Sequence, residues 1–205
     1  MVLTGNNLSE VGETVEARAI SATLACIARH GLGKTTIDDV AREAGCSRAT
    51  LYRYFDGKAG LVAAAFAAER DRIVGAIRAA ADEAPTLEDA VVAMLVATGH
   101  ELVEHPALRF VADVEPERLL PHLTFGGGDR FLGAAAVAIA PSLERFLPDS
   151  AERAAEWIAR IALALWLSPT APVSLTDPTG MYDYVREFVL PAISPSTAVL
   201  VSPRR

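Results

Sequence analysis

The chain has 205 residues, with 26 acidic and 19 basic side chains for a formal charge of −7; 51% of it is hydrophobic and only 6% aromatic. That length supports one or two compact domains, and the two cysteines, Cys26 and Cys46, are too few for a disulfide framework. The longest charge-free apolar run before the tail, Phe131 to Leu143, is too short to cross a membrane, and residues 1–10 lack the basic start and apolar stretch of a signal peptide, so a cytoplasmic protein with no membrane partner is expected. The acid excess, taken as a sum, argues against a nucleic-acid partner, because duplex binding depends on neutralising phosphates. The charge is not evenly spread, however: the first 58 residues hold seven basic and seven acidic side chains, and the whole deficit lies beyond them.

Alanine is abundant, Leu, Glu and Arg are common, and long alternating runs of β-branched and aromatic residues are scarce, which predicts an all-α fold. Apolar spacing and breakers place helices near 12–30, 36–44, 47–54, 57–83, 86–105, 106–113, 128–147, 150–168 and 178–193. The first three are short and tightly joined. Those that follow are longer and separated at Pro85, Pro106, Pro148 and Pro178. An N-terminal domain over 1–56, a helical domain over 57–193 and a tail over 194–205 are therefore expected, with the join inside or just before the helix that starts near Gly57.

In the first helix, Ile20, Leu24, Ile27 and Ala28 recur at helical spacing as an apolar stripe, and Gly31 and Gly33 end it. Thr36 is a hydroxyl N-cap with a carboxylate, Asp39, three residues on; Ile37, Val40, Ala41 and Ala44 form one buried face, and Gly45 supplies a left-handed C-cap. Ser47 caps the next helix, whose inward pair is Leu51 and Phe55. Two helices joined by a short turn containing glycine make a helix-turn-helix. With Leu51 and Phe55 inward, Arg48, Ala49, Tyr52 and Arg53 face outward near the start of the second helix, the part that reads base edges in a major groove. Thr36, Ser47, Thr50, Tyr54 and Lys58 suit phosphate contacts that set register. Over 42–58 the basic residues Arg42, Arg48, Arg53 and Lys58 outnumber Glu43 and Asp56.

The segment from Thr35 to Leu61 resembles the DNA-binding signature of the tetracycline-repressor (TetR) family of bacterial transcription regulators. The likeness is carried by the Thr35-Thr36 start, the turn Ala41-Arg42-Glu43-Ala44-Gly45, the helix Leu51-Tyr52-Arg53-Tyr54-Phe55 and Lys58 ahead of Leu61. It covers roughly 12–62. Cys46 departs from it, standing where such proteins usually carry an aliphatic residue. The resemblance implies a homodimeric repressor that binds a palindromic double-stranded DNA operator and is released by a small molecule held in its C-terminal domain. It also implies that the helices at 150–168 and 178–193 pair across the dimer.

In the second domain, Thr86 and Asp89 repeat the capping logic ahead of Ala90, Met94, Leu95 and Ala97. The segment 128–147 is apolar on most sides, which predicts a buried central helix interrupted at Pro141. Met94, Phe110, Val111, Phe131, Leu132 and Trp166 are the candidates for an effector cavity, with His100, Arg109 and His122 as polar orienters. The low aromatic content favours an aliphatic or fatty-acyl-like effector. On the dimer pairing that the resemblance implies, Ala155, Ile158, Ala162 and Leu165 are expected to supply one seam, and Tyr182, Val185, Phe188 and Val189 another, with Trp157, Trp166, Tyr182 and Phe188 as aromatic anchors.

Catalysis finds little support. The run His100-Glu101-Leu102-Val103-Glu104-His105 lacks the pair of imidazoles four residues apart that zinc-protease helices need, and reads as a solvated, charged helix end. The glycines at 126–128 do not follow a strand, and no nucleophile, histidine and carboxylate group stands out. No metal, no cofactor and no enzymatic activity are expected. The alternative to a regulator is a helical sensor or interaction protein of the same fold without operator binding.

Overall fold

The computed structural model describes residues 14–118, 125–168 and 173–194, with the backbone alone for 125–131. His122, the side chain of Phe131 and the tail from Pro195 onward thus lie outside the described residues. Every regular element among the described residues is a helix: α1 (Val15–Lys34), α2 (Ile37–Glu43), α3 (Arg48–Tyr54), α4 (Gly57–Asp82), α5 (Leu87–Glu104), α6 (Pro106–Val114), α7 (Phe125–Ile139), α8 (Pro141–Glu144), α9 (Ala151–Leu167), α10 (Pro178–Tyr184), a π-helical turn (Val185–Val189) and α11 (Leu190–Ile193). The fold is all-α, and no described helix is long and apolar enough to cross a membrane. The chain divides into two compact units, Met1–Ala68 and Glu69–Arg205.

The first unit is built on small side chains. Ala19, Ala22 and Cys26 of α1 meet Ile37, Val40, Ala41 and Ala44 of α2, Leu51 of α3, Phe55 and Leu61 of α4 in one buried cluster. This corrects the expected stripe on α1, which is rotated: Ile27 is buried, but Ile20, Leu24 and Ala28 are only half-buried at its flank. Alanines at the centre let three short helices approach closely, and the larger side chains close the edges. Helix α1 also outlasts its first glycine. Gly31, with φ 82°, kinks it, and a further turn runs to Lys34.

In the second unit α5 packs against α6, α8, α9 and α10. Val91, Met94, Leu95, Val111, Leu143, Ile158, Met181 and Val185 are fully buried there. Gly99 is required by a close approach, since a Cβ on it would lie 2.5 Å from that of Leu175 in the loop before α10. At the other end of α5, the Tyr182 hydroxyl donates to Asp89 at 2.8 Å and Arg186 pairs with Glu88 at 2.6 Å, which pins α10 and the turn after it to α5. Arg145 closes the C-terminus of α4, donating to the carbonyls of Ala81, Asp82 and Ala84 at 2.7–3.1 Å; a cation there also complements the helix dipole.

Two expectations are corrected. The helix at 128–147 breaks at Pro141, as expected, but it is not buried on all sides: Val137 is 66% exposed, because α7 packs mainly through the face carrying Ala136 and Ile139. The seam Ala155, Ile158 and Ala162 is buried against the chain's own core, as are Val185 and Val189, because one apolar face of α9 is used up in packing on α5 and α7. Near the C-terminus, the Leu190 N–H reaches back five residues to the Val185 carbonyl, a wide turn just before Pro191, which has no N–H of its own.

The charged segment 100–105 is also not simply a solvated end. His100 and Glu104 lie exposed, 3.7 Å apart, but His105 turns inward at the corner between α5 and α6. Its Nδ1 accepts the Leu108 N–H at 3.1 Å as the N-cap of α6, and its Nε2 lies 3.1 Å from a carboxylate oxygen of Glu69, a residue 7% exposed. Arg72 bridges Glu69 and Glu101 at 2.6 and 2.5 Å. These partners select the neutral ring with its proton on Nε2. A second proton would fall on Nδ1 and turn the cap acceptor into a donor facing another N–H.

Burial is the largest influence on His105 and lowers its pKa; the Glu69 carboxylate opposes this, and the Arg72 guanidinium adds to it. A group whose folded pKa is depressed contributes stability that is present above its unfolded value, about 6.5, and is lost as pH falls through the folded value. Thermal unfolding followed from pH 7 to 5 is expected to show stability falling. The carboxylates whose pKa is lowered, Asp39, Glu43 and Asp89, start from ordinary values near 4, so the acid-sensitive part of their stability lies below that window. His105→Asn keeps a capping acceptor and should flatten the curve; an unchanged slope would remove His105 from the explanation.

Candidate nucleic-acid interface

The geometry of α2 and α3 is set by caps at three of their ends. The Thr36 hydroxyl accepts the Asp39 N–H at 3.2 Å and the Asp39 carboxylate accepts the Thr36 N–H at 3.1 Å, a complete capping box. Hydrogen bonding to Thr36 holds the Asp39 carboxyl below the usual carboxylate range. At the far end of α2 the Cys46 N–H bonds back to Ala41 and the Gly45 N–H to Arg42, the two bonds of a Schellman closure, with Gly45 at φ 63°. Ser47 then caps α3 by accepting the Thr50 N–H at 3.1 Å.

This turn buries Leu51 (1% exposed) and Phe55 (7% exposed), and α3 must present its other faces to solvent. Arg48, Ala49 and Arg53 are exposed, Tyr52 is 54% exposed and Tyr54 47%. The Arg53 guanidinium lies 5.3 Å over the Tyr54 ring. The expected base-reading residues thus share one open surface, and the Arg48 Nε pairs with Asp38 of α2 at 3.0 Å.

The residues assigned to phosphates divide differently. Thr50 is half-buried, and its hydroxyl bonds to that of Ser47 at 2.9 Å. The Thr36 hydroxyl also donates to Asp39, so both of its functions serve the cap. The Lys58 ammonium donates to the carbonyls of Leu32 at 2.8 Å and Gly33 at 3.1 Å, bridging the start of α4 to the end of α1. Sequence reasoning missed this cap because Leu32 and Lys58 are joined only by tertiary folding. Two further ties were missed for the same reason: Arg29 of α1 to Glu43 of α2, and Arg18 of α1 to the carbonyl of Ala44 at 3.3 Å.

Residues 19–65 match the sequence model of the bacterial regulatory proteins of the tetR family. Residues 19–65 thus carry the DNA-binding signature of the TetR family. A helix-turn-helix transcriptional regulator of Mycobacterium tuberculosis is 28% identical over 162 residues, 79% of this chain and 77% of that protein. Among solved structures, the TetR-family repressor AlkX from a Dietzia strain, implicated in biodegradation of n-alkanes, superposes with a TM-score of 0.68 at 23% identity, covering 89% of this chain and 97% of that one. The fatty acid degradation regulator FadR from Bacillus halodurans gives 0.60 at 18% identity, covering 86% and 96%. These likenesses support a DNA-binding transcriptional regulator.

In the regulator's second unit the residues named for an effector are dispersed in exposure. Met94 and Val111 are buried, Phe110, Leu132 and Trp166 are half-buried, and Arg109 and His100 are exposed. Among the described residues of that unit, Glu69 and Ser142 are buried, the Ser142 hydroxyl of α8 without a hydrogen-bond partner, and His105 lies half-buried beside Glu69.

The Lys58 contacts generate a discriminating test. Lys58→Met keeps the aliphatic stem and removes two charge-assisted bonds to α1. It is expected to destabilise the chain to urea by about 1–3 kcal/mol. Unchanged stability combined with weaker binding to every duplex would return Lys58 to a direct phosphate contact.

Proposed function

We propose that this chain is a TetR-family regulator, a dimeric repressor that binds a two-fold-symmetric operator through α3 and is released by a small, largely apolar molecule. The observation that carries the reading is the single open surface of Arg48, Ala49, Tyr52 and Arg53 on a helix whose other side is buried. Arginine on such a face makes bidentate contacts to guanine, and a small or aromatic side chain meets a thymine methyl. One helix-turn-helix covers too little duplex for useful discrimination, which two copies on adjacent half-sites supply.

Dimerisation is assigned to the outer faces of α9 and the C-terminal helix. Trp157 is 44% and Phe188 58% exposed, each large and apolar. Trp157 and Ala192, four residues beyond Phe188, line one open groove of about 520 Å³ with Arg153, Ala154 and Ile193. Of the four expected anchors these two remain open to a partner, whereas Tyr182 is tied to Asp89 and Trp166 is half-buried. A second copy of the chain covers such a face by two-fold symmetry.

An apolar effector is supported by the surroundings of Met94 and Val111 and by the link of two proteins of the same fold to n-alkane and fatty acid degradation. The unpartnered Ser142 hydroxyl, on a helix packed against α5, is suited to one polar group of that molecule.

Fluorescence anisotropy of the full chain on duplexes selected from a randomised pool tests the reading. Salt-sensitive, sequence-selective binding is expected, and Arg48→Ala should lose about 1–3 kcal/mol at one base pair of each half-site. Absence of selective binding would favour a sensor of the same fold that does not bind operators. Trp157→Glu is expected to give a monomer in sedimentation with helical content intact; an unchanged dimer would move the interface elsewhere.

A further inference from the structure

The three carboxylates of α2 are each matched to one arginine, and the arginines come from three helices. Glu43 holds Arg29 of α1 at 2.5 Å, Asp39 holds Arg42 of α2 at 3.4 Å, and Asp38 holds Arg48 of α3 at 3.0 Å. Two of these carboxylates have other work: Asp39 completes the capping box, and the Glu43 pair ties α1 to α2. Asp38, in the first turn of α2, complements the helix dipole, and its pair reaches α3. It caps nothing, it is exposed, and its one partner among the described residues is Arg48.

The atoms in that pair matter. A guanidinium has five N–H donors in a fixed plane, and the contact engages Nε. The terminal edge, with its two parallel N–H groups, then keeps the spacing that matches O6 and N7 of guanine. A carboxylate beside Nε favours one placement of a long side chain before DNA arrives. The carboxylate also offsets the guanidinium charge towards phosphates, which carry no sequence information. An exposed ion pair of this kind contributes little to stability.

We infer that Asp38 is a specificity-determining residue of the DNA-binding unit: its carboxylate, paired with Arg48 on the Nε side, leaves the terminal guanidinium edge for a guanine and keeps that arginine from settling on the phosphate backbone. The inference rests on the reading of α3 as the helix that enters the groove. It predicts that removing a negative charge facing DNA strengthens binding and weakens discrimination, the reverse of what loss of a base contact does to affinity.

The test uses the full chain as wild type, Asp38→Asn, Arg48→Ala, Arg48→Lys and the Asp38→Asn/Arg48→Ala double variant. The probes are the duplex selected by the wild type from a randomised pool, its single-base variants across one half-site, and a scrambled duplex, each at several salt concentrations. Asp38→Asn is expected to lower preference about 3- to 10-fold at the base pair that Arg48→Ala flattens, to leave other positions within about 2-fold, and to bind the scrambled duplex more tightly. Its plot of log affinity against log salt should steepen by about one per protomer as Arg48 turns to a phosphate. Arg48→Lys, which keeps the charge without a second edge, should lose the same preference, and the double variant should match Arg48→Ala. An unchanged base profile in Asp38→Asn, or an equal loss at every position, would overturn the inference while leaving the role of α3 intact. A wild type that selects no sequence would overturn both.

Discussion

Residue 45 must place its backbone in the left-handed region, and the exposed face of α3 depends on that constraint. Gly45 adopts φ 63° without side-chain strain, and the two bonds that close around it, Cys46 to Ala41 and Gly45 to Arg42, satisfy carbonyls that α2 would otherwise leave open. With Ser47 capping the next helix two residues on, the chain has no room to choose another angle. Leu51 and Phe55 then fall into the cluster of small side chains from α1 and α2, and Arg48, Tyr52 and Arg53 are left outside. A backbone conformation thereby becomes a chemical surface.

Charge follows the same logic of local placement. The total of −7 describes the chain as a whole and says little about the part that meets DNA. In the first unit the cations are mostly matched: Arg29, Arg42 and Arg48 to the carboxylates of α2, and Lys58 to the carbonyls at the end of α1. Such a surface has a modest general attraction for phosphate, so selective binding has to come from geometry more than from charge. Pairs of this kind add little stability.

The second unit uses ionic groups differently. Glu69 is buried with His105 half-buried beside it, and Arg72 bridges to Glu101, at the corner where α5 ends and α6 begins. A buried carboxylate is costly unless paired and hydrogen-bonded, and here one carboxylate meets both requirements. The imidazole must be neutral to cap α6, so the corner is intact only while one ring nitrogen stays unprotonated. Elsewhere the unit relies on close backbone approach, as at Gly99 against Leu175, and on Arg145 closing three carbonyls at the end of α4.

Local chemistry made much of this legible in the amino-acid sequence alone. The caps Thr36, Ser47 and Thr86, the glycine at 45, the buried face of α2, the inward pair on α3 and the break at Pro141 all rest on contacts within a few residues. The helix-turn-helix and its exposed face follow from those, and with them the family signature. The sequence alone did not determine which of two possible faces a helix buries. The stripe on α1 and the seam on α9 have apolar residues on more than one side, and only the neighbouring helices decided that Ala19, Ala22 and Cys26, or Ala155 and Ile158, turn inward. Tertiary structure likewise decided every polar contact spanning tens of residues, such as Lys58 to α1, Arg145 to α4 and His105 to Glu69. Those contacts join atoms that spacing along the chain does not relate; their partners are selected by the packing of apolar faces, which must form before the charges can find one another.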